Sequence, residues 1–576
     1  MGMTDRLIRA CCVLLLAASV LASGCRDGTQ AGSGAAGGSS AAAERKMESL
    51  TRRAEAGDAD AQFNLGLMYD YGDGIRKDIY KAIDWYQRAA AQGNSVAEFR
   101  LGVMHEKGEG LSKDPAKAIE WYTKAATRGN QDAQLNLAIM FDRGDDVARD
   151  PARALEWYQK AAAQGNSDAQ FGLAAIYDRG AGVPRDAAKA FELYQKAAQQ
   201  GNNAAQFNLG LMYERGDGTS RDPSKAVHWY QHSAAQGNAD AQFGLGWMLA
   251  RGEGVAQNAH QAIEWYQKAA ARGSSEAQFN LGLLYDSGEL VARDPIRAVD
   301  WYQKAAVQGH PTAQFNLGWM YARGEGIERN AAKAVEWYEK SAQQGNPVAQ
   351  LSLGWMYDHG EGVPQSMSKA AEWYQKAALQ GNATAQFNLG LMHERGDGVP
   401  RSISMAIEYY EKAAQQGNAD AQFNLGALYD KGDGIPRNAQ KAIDWYQKAA
   451  ARGNAVAQFN LGWFYARGED VAKDSAKAVE WYRRSAAQGN TKAQVNLGWM
   501  YDNGEGVAVD KVLAYAWFSL AAANGNERAI RNRGILDDHL SAKELAEARR
   551  LAAAWKTGQL IKRERRPPEI SPRGTQ

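Results

Sequence analysis

Residues 57–92 contain two segments in which apolar side chains recur at helical spacing. In the first segment, the apolar residues of one face are Ala61, Leu65, Met68 and Tyr69. In the second segment, they are Ala82, Ile83, Tyr86, Ala89 and Ala90. Gly72 and Gly74 separate the two segments, and glycine is a common break between helices. The pattern therefore predicts a hairpin of two amphipathic helices, each with one face to bury against a neighbour.

The same pattern returns every 36 residues without insertion or deletion. A tryptophan of the second segment marks the register at Trp85, Trp121, Trp157, Trp229, Trp265, Trp301, Trp337, Trp373, Trp445, Trp481 and Trp517. Leu193 and Tyr409 occupy the two remaining positions, which makes thirteen units. A fixed period of this length indicates a repeat array, in which each unit completes its core by stacking on the next. We assign the repeats to residues 57–524 and expect the tryptophans of the second helices to belong to the core.

Residues that begin or end helices set the predicted boundaries within each unit. Asp-Pro pairs such as Asp114-Pro115 begin the second helix, because aspartate caps free backbone N–H groups and proline is tolerated at the first helical position. Gly-Asn pairs such as Gly93-Asn94 end it. In the first helix, the position of Gly66 holds only glycine or alanine in all thirteen units. We therefore expect a neighbouring helix to cross at that position.

The two ends of the array carry different patterns. Residues 44–56 keep three apolar positions among charged ones, which predicts an N-terminal capping helix. Residues 525–557 predict C-terminal capping helices, the last of which begins at a capping box formed by Ser541 and Glu544. Residues 558–576 are basic and proline-containing, and we expect a disordered tail there.

The first residues of the chain have the composition of an export signal. Arg6 and Arg9 precede a short apolar run over residues 10–21. The run leads into L-A-S-G-C ending at Cys25, which resembles the lipobox of bacterial lipoproteins, although Ala22 stands where that motif usually has leucine. We predict a lipoprotein signal peptide over residues 1–24, acylation of Cys25, and a flexible Gly/Ser/Ala tether over residues 25–43. A plain cleaved signal with an incidental cysteine is the alternative.

The residue after the predicted lipidation site bears on location. Arg26, rather than aspartate, follows Cys25. By resemblance to lipoprotein sorting in Gram-negative bacteria, this arrangement favours an outer-membrane lipoprotein that faces the periplasm. Exposure on the cell surface and secretion are the alternatives.

Charge and cysteine usage exclude several classes of function. The chain has 67 Lys and Arg against 66 Asp and Glu, a formal net charge of +1, whereas non-specific nucleic-acid binding needs a strongly basic surface. The three cysteines are Cys11, Cys12 and Cys25, so the repeats have no disulfides and no thiol catalysis. We expect no nucleic-acid partner and no cofactor.

The repeated pattern A-x-x-x-L-G-x-M-Y-x-x-G-x-G-V-x-x-D-x-x-K-A-x-x-W-Y-x-K-A-A-x-x-G-N resembles the Sel1-like repeat family, relatives of the tetratricopeptide repeat. The resemblance implies an all-α fold, an α/α solenoid in a right-handed superhelix of about thirteen 36-residue hairpins with a concave inner surface. It also implies an adaptor that holds other proteins. Some members carry a cysteine pair in each repeat and bind cell-wall fragments or β-lactams, and this chain lacks those cysteines.

Positions that stacking does not require are the candidate binding positions. Residues 60, 64, 67 and 71 share one face of the first helix. At the second of these positions, asparagine occurs as Asn64, Asn136, Asn208, Asn280, Asn316, Asn388, Asn424, Asn460 and Asn496. In tetratricopeptide relatives, asparagine at this helix position holds the main chain of a bound peptide, a task that suits its donors and acceptor. A polar residue copied along with the repeat is the alternative.

The third position of this face is tryptophan in only five repeats, at Trp247, Trp319, Trp355, Trp463 and Trp499. Since the other repeats manage without it, stacking does not demand tryptophan there. An exposed tryptophan is a common anchor for peptide or sugar, whereas additional packing between repeats is the alternative. The fourth position is basic in most repeats, and an acid two residues on, as in Arg251 and Glu253, favours local pairing over an anion clamp.

Catalytic and metal chemistry find little support in the sequence. His228 and His232 are four residues apart on a second helix, but no third ligand lies nearby in the sequence, so a surface pair is the better interpretation. No metalloprotease, phosphate-loop, nucleophile-elbow or dinucleotide motif occurs. We therefore expect no enzyme and no metal site. The prediction is a membrane-anchored scaffold for an unidentified protein or peptide in the cell envelope, with binding of an envelope glycan (peptidoglycan or exopolysaccharide) as the alternative.

Overall fold

The computed structural model describes residues 39–144 and 146–563 of the chain. Within these residues all 29 regular elements are α-helices. The chain divides into two compact units, of which unit 1 ends at Arg293 and unit 2 begins at Asp294. The predicted signal peptide, Cys25, most of the predicted tether and most of the predicted tail lie outside the described residues.

Unit 1 begins with the helix Ser39–Glu55 and continues with the repeats, which we number 1 to 13 in chain order. The first helices of repeats 1–7 are Ala59–Tyr71, Ser95–Lys107, Gln131–Arg143, Ser167–Arg179, Asn203–Arg215, Ala239–Arg251 and Ser275–Ser287. The second helices of repeats 1–6 are Ile79–Ala91, Pro115–Thr127, Pro151–Ala163, Ala187–Gln199, Pro223–Ala235 and Ala259–Ala271.

Unit 2 begins with Pro295–Val307, the second helix of repeat 7. The first helices of repeats 8–13 are Pro311–Arg323, Pro347–His359, Ala383–Arg395, Ala419–Lys431, Ala455–Arg467 and Thr491–Asn503. Their second helices are Ala331–Gln343, Met367–Leu379, Ile403–Gln415, Ala439–Ala451, Ser475–Ala487 and Lys511–Ala523. Two further helices, Glu527–Asp537 and Ala542–Ala554, follow. Within each unit, every repeat helix packs against its neighbours in chain order, which makes each unit an all-α solenoid and confirms the predicted fold class.

Short polar residues begin the helices as expected. The Asp114 carboxylate accepts a hydrogen bond from the backbone N–H of Lys117 at 3.0 Å, with Pro115 at the first helical position. The predicted role of Gly-Asn pairs at the end of the second helix is confirmed, since the backbone N–H of Gly93 donates to the Ala90 carbonyl at 2.9 Å, and the asparagine has a second role. The second helix ends at Ala91, and Asn94 caps the following first helix by accepting from the backbone N–H of Ala97 at 2.9 Å. Gly93 joins the two helices with φ 82°, a conformation that favours glycine.

The predicted apolar faces form the core. In the second helix of repeat 1, no surface is exposed at Ala82, Tyr86 and Ala89. The first helix of that repeat buries Ala61 and Leu65. The crossing expected at the small position is present, since a Cβ added at Gly66 would lie 2.7 Å from the Tyr86 ring. Small residues at this position therefore let the tyrosine ring lie against the helix backbone.

Buried glutamines link successive repeats, a feature that the sequence analysis missed. The Gln134 amide donates to the Ala126 carbonyl of the preceding repeat at 3.0 Å. Gln164, at the end of the same repeat, donates to the Gln134 side-chain oxygen at 2.8 Å. Repeat 2 has Glu98 in place of this glutamine, and the carboxylate lies 3.2 Å from Arg128. The linkage satisfies backbone carbonyls that stacking would otherwise leave buried without a donor.

The expectation that the second-helix tryptophans belong to the core is wrong for most of them. The ten from Trp85 to Trp481 are half-buried, and only Trp517 is fully buried. Their outer faces carry basic side chains of the same helix, such as the Lys268 Nζ, which lies 3.9 Å from the centre of the Trp265 ring. In repeats 1–12, the tyrosine that follows this position points inward instead, because adjacent helical residues are turned by about 100°.

The ends of the array are covered by additional helices. Residues 39–43, predicted as part of the tether, are helical and continue into the capping helix. Met47 and Leu50 of that helix pack against Leu65, as predicted. The capping box of Ser541 and Glu544 is present at the other end. Residues 558–563, expected in the disordered tail, instead contact the body, since Arg563 pairs with Asp510 and with Glu547 at 2.9 Å in each case.

Candidate functional site

The candidate asparagines lie on the predicted face of the first helices, where most are half-buried and Asn64 is exposed. Several of them bind the neighbouring repeat rather than pointing freely into solvent. The Asn424 amide donates to the Tyr410 hydroxyl of the preceding repeat at 3.2 Å. The same partnership, with the tyrosine fourteen residues earlier, occurs at Asn136, Asn388, Asn460 and Asn496.

The tyrosine of this partnership has a second partner. Its hydroxyl donates to an acid sixteen residues earlier, as from Tyr410 to Glu394 at 2.6 Å. Tyrosine, acid and asparagine thus form a hydrogen-bonded network at the junction of two repeats. Burial raises the pKa of Tyr482 to about 12, and burial likewise raises the pKa of Tyr410. These hydroxyls therefore remain protonated donors at neutral pH.

Two other asparagines bond within their own helix. Asn208 donates to the Ala204 carbonyl at 2.9 Å, and Asn280 donates to the Glu276 carbonyl at 2.8 Å. Part of the hydrogen-bonding capacity of the asparagine series is therefore already used inside the protein. An asparagine that donates one N–H to a tyrosine still has its carbonyl and its second N–H to offer to a ligand.

The five candidate tryptophans keep surface on this face. Trp355 is 42% exposed and Trp499 is 38% exposed, while Trp247, Trp319 and Trp463 are half-buried. Among these half-buried rings, the guanidinium of Arg251 lies 4.6 Å from the Trp247 ring centre. The corresponding arginine lies 4.7 Å from Trp319 and 4.6 Å from Trp463. Such cation–π contacts hold the ring in place while leaving its edge accessible.

The basic position of the face pairs locally, as expected, in repeats 6, 8 and 12, whereas Asp217, the acid two residues after Arg215, pairs instead with Arg185 of the preceding repeat. Arg251 donates to Glu253 at 2.8 Å, and Arg467 donates to Glu469 at 2.8 Å. Each of these arginines also covers a tryptophan of its own helix, which the sequence analysis did not anticipate. Trp355 differs, since His359 takes the place of the arginine and stacks on the indole with ring centres 4.3 Å apart.

A cavity of about 280 Å³ opens on this face in unit 2. First-helix residues of repeats 8, 9 and 10 line it together with a second-helix tyrosine, and the lining includes Ala322, Tyr338, Ser352, Trp355, Met356 and Asn388. Two of these, Trp355 and Asn388, are candidate residues from the sequence. The structure thus brings an asparagine and a tryptophan of different repeats together at one place.

The rings of His228 and His232 lie with their centres 4.7 Å apart, but no group of three potential metal ligands occurs among the described residues. None of the described helices combines the length and the apolar character that a membrane crossing requires.

The junction network and the faces around it recur with the sequence period, and comparison with known proteins gives the same period. Matches to the Sel1 repeat follow one another without a gap at residues 59–94, 95–130, 131–166, 167–202, 203–238, 239–274, 275–310, 311–346, 347–382, 383–418, 419–454, 455–490 and 491–526. The chain belongs to the Sel1 repeat family. Sel1 repeat proteins generally mediate protein–protein interactions, and their solenoid is typically a non-catalytic scaffold.

Solved structures of other Sel1 proteins resemble this one. A protective antigen of uropathogenic Escherichia coli with an SLR fold is 38% identical, with a TM-score of 0.67. The match covers 76% of this chain and 94% of that chain. A Sel1 repeat protein from Oxalobacter formigenes is 35% identical over 57% of this chain and 93% of its own, with a TM-score of 0.47. Among curated proteins, the chain has no significant match.

Proposed function

We propose that this protein is a Sel1 repeat scaffold that holds partner proteins in the bacterial cell envelope through the face of its first helices. Its role is binding rather than catalysis. The lipid on Cys25 anchors it to the outer membrane, and the repeats face the periplasm. The charged and apolar start of the chain and the lipobox-like sequence that ends at Cys25 support this location.

The observation that carries the proposal is the exposure of large aromatic side chains where stacking does not need them. Trp355 and Trp499 each keep more than a third of their surface in solvent, while Leu353 and Leu497 of the same helices are fully buried. Leaving an indole in water forgoes the free energy of burial, and tryptophan is enriched among the residues that dominate binding at protein interfaces. A partner that covers these rings recovers that free energy.

An affinity pull-down from envelope extract tests the scaffold function. The mature protein should retain one or more envelope proteins, and Trp355→Ala combined with Trp499→Ala should weaken this retention. The matched control is Tyr80→Ala, which removes an aromatic side chain that is 74% exposed on a second helix. Retention that is lost equally in the control, or that is unaffected by the double variant, would contradict the proposed face.

The anchor has a separate test. Metabolic labelling with a fatty-acid analogue should mark the wild-type protein, and Cys25→Ser should abolish the label. If the label persists in Cys25→Ser, the proposed lipidation site is wrong. Release of the unlabelled variant from the membrane fraction would show that the lipid supplies the anchorage.

Binding of an envelope glycan is the second candidate function. The exposed indoles favour it, because sugar rings stack on aromatic faces in the same way that peptide side chains do. Sedimentation of the protein with purified peptidoglycan or exopolysaccharide separates the two functions. Co-sedimentation that depends on Trp355 and Trp499, without any retained protein, would replace the scaffold proposal with the glycan one.

A further inference from the structure

The cavity in unit 2 lies where the junction network is incomplete. At the next junction along the chain, the Tyr374 hydroxyl has Asp358 on one side at 3.4 Å and Asn388 on the other. At the junction of repeats 8 and 9, the corresponding tyrosine is Tyr338, and the two partner positions hold Ala322 and Ser352. Neither of these small residues reaches the hydroxyl, and no hydrogen bond of the Tyr338 hydroxyl occurs within the described structure.

This double replacement occurs at one junction of the array. Where the acid is replaced elsewhere, the asparagine remains, and where the asparagine is replaced by glycine, the acid remains. The pairs are Ala250 with Asn280, Ala466 with Asn496, Asp142 with Gly172, and Glu214 with Gly244. The loss of both partner residues of the tyrosine is therefore specific to the junction at which this cavity opens.

The lining defines the chemistry of an occupant. It consists of aliphatic, aromatic and sulfur-containing side chains together with the neutral polar groups of Tyr338, Ser352, Thr384 and Asn388. None of the lining side chains is charged. The nearby Glu361 is paired with Arg329, and burial raises the pKa of Tyr338, which keeps that hydroxyl a neutral donor. A charged group would leave water here without a counter-charge, so the occupant is neutral.

Size and polarity separate the possible neutral occupants. The volume of about 280 Å³ has room for roughly nine waters, which is enough space for one large side chain. A sugar carries hydroxyls around its whole ring, and a mostly apolar lining would leave several of them without partners. An aromatic side chain with one polar tip matches better, since Trp355 and Met356 both make favourable contacts with aromatic rings.

We propose that this cavity, at the junction of repeats 8, 9 and 10, binds a tyrosine side chain of the partner protein, with the Tyr338 and Ser352 hydroxyls and the Asn388 amide as hydrogen-bonding groups. The proposal rests on the scaffold function and names a specific anchor for it. The missing acid and asparagine create the space, and the hydroxyl that they leave unpaired is available to the phenol of the ligand.

Saturation-transfer NMR with the full chain tests the site. The probes are N-acetyl-L-tyrosinamide, N-acetyl-L-phenylalaninamide and a methyl glucoside. The wild-type protein should bind the tyrosine probe more tightly than the phenylalanine probe and should not bind the glucoside. The double variant Ala322→Asp with Ser352→Asn restores the residues found at the neighbouring junctions and fills the cavity. It should bind the tyrosine probe at least about tenfold more weakly.

Two further variants separate the cavity from general effects. Ala250→Asp restores the acid at another junction that retains Asn280, and it should leave binding of the tyrosine probe unchanged. Tyr338→Phe keeps the cavity and removes one hydroxyl. It should reduce the preference for the tyrosine probe over the phenylalanine probe, because one of the three hydrogen-bonding groups is lost, and a merely structural effect would weaken both probes alike.

Three results would overturn the proposal: no binding of the tyrosine probe to the wild-type protein, equal binding to the filled variant, or tighter binding of the glucoside. The pull-down distinguishes this failure from failure of the scaffold function. If the filled variant retains the same envelope partners as the wild type, the scaffold function is supported and the tyrosine site is contradicted. If neither protein retains any partner, the scaffold function is contradicted as well.

Discussion

Gly426 offers a sharp test of how the repeats are packed. A Cβ added at this position would lie 2.6 Å from Cδ1 and 2.7 Å from Cε1 of Tyr446, closer than real Cβ atoms approach. The ring has little room to move away, since Phe423 and Phe464 lie with their ring centres 5.8 and 6.3 Å from it. Gly426→Ala therefore forces either the tyrosine or the helix to shift.

The magnitude follows from two opposing effects. Overpacking of this kind costs about 1–3 kcal/mol, and replacing a mid-helix glycine with alanine contributes about 1 kcal/mol in the opposite direction. Because the contact is far inside the normal distance, we expect a net destabilisation of about 1–2 kcal/mol. In a solenoid this loss stays near the altered repeat. Hydrogen exchange of amides in the helices of repeat 11 should accelerate about tenfold.

A second substitution on the other side of the Tyr446 ring should partly rescue Gly426→Ala. In repeat 3 the corresponding position is Ala138, and there Gly172 of the next repeat lies against Tyr158, with an added Cβ 2.7 Å from its Cζ. In repeat 3, glycine on the far side of the ring thus accompanies alanine on the near side, whereas repeat 4 combines Ala174 with Asn208. Asn460→Gly should accordingly restore part of the protection lost in Gly426→Ala.

The control is a glycine with free space. Gly534 lies within the helix Glu527–Asp537, and an added Cβ there would meet no atom within 4 Å. Gly534→Ala should therefore stabilise its helix by up to about 1 kcal/mol. Unchanged or slower exchange in Gly426→Ala, with the expected gain in Gly534→Ala, would refute the close-packing account.

Three further predictions follow from polar groups in unit 1. Glu98→Gln should raise the thermal unfolding temperature and increase the free energy of unfolding by about 1 kcal/mol. The buried Oε2 of Glu98 has no hydrogen-bond partner, whereas a glutamine can donate to the Ala90 carbonyl, as Gln134 does to the Ala126 carbonyl. Gln134→Ala should cost about 1–3 kcal/mol in chemical denaturation, since the buried Ala126 carbonyl loses its donor. The backbone N–H of the second helix holds the pKa of Asp114 below its usual 3.8, so this cap stabilises fully above that pH and is lost as the pH falls through the lower folded-state pKa. Asp114→Asn should remove that part of the acid sensitivity, as measured by hydrogen exchange in repeat 2.

The sequence predicted the helices well because their signals are local. Asp114-Pro115 begins a helix through contacts within four residues, and the 36-residue period repeats such signals thirteen times. The period also predicted the crossing at Gly66, since only small residues occupy that position. These inferences needed no knowledge of how one repeat lies on the next.

The candidate site was predicted less completely. The asparagine and tryptophan positions were identified, but not the bond from Asn424 to Tyr410 or the contact of Arg251 with Trp247. One signal was available, because a tyrosine recurs with an acid sixteen residues before it and an asparagine fourteen residues after it. Its meaning depends on stacking, which places these three residues of two repeats next to each other.

The chain by itself thus determined which segments are helical, where they begin and end, and that they form a repeat array, because capping, glycine breaks and apolar spacing act over a few residues. Only the tertiary structure decided which of two adjacent aromatics, Trp445 or Tyr446, enters the core. It also decided that Ala322 and Ser352, unremarkable in sequence, leave a cavity beside Tyr338. Both outcomes depend on which side chains of a neighbouring helix contact the residue. Those contacts form between helices that are distant in sequence, so the local sequence does not determine them.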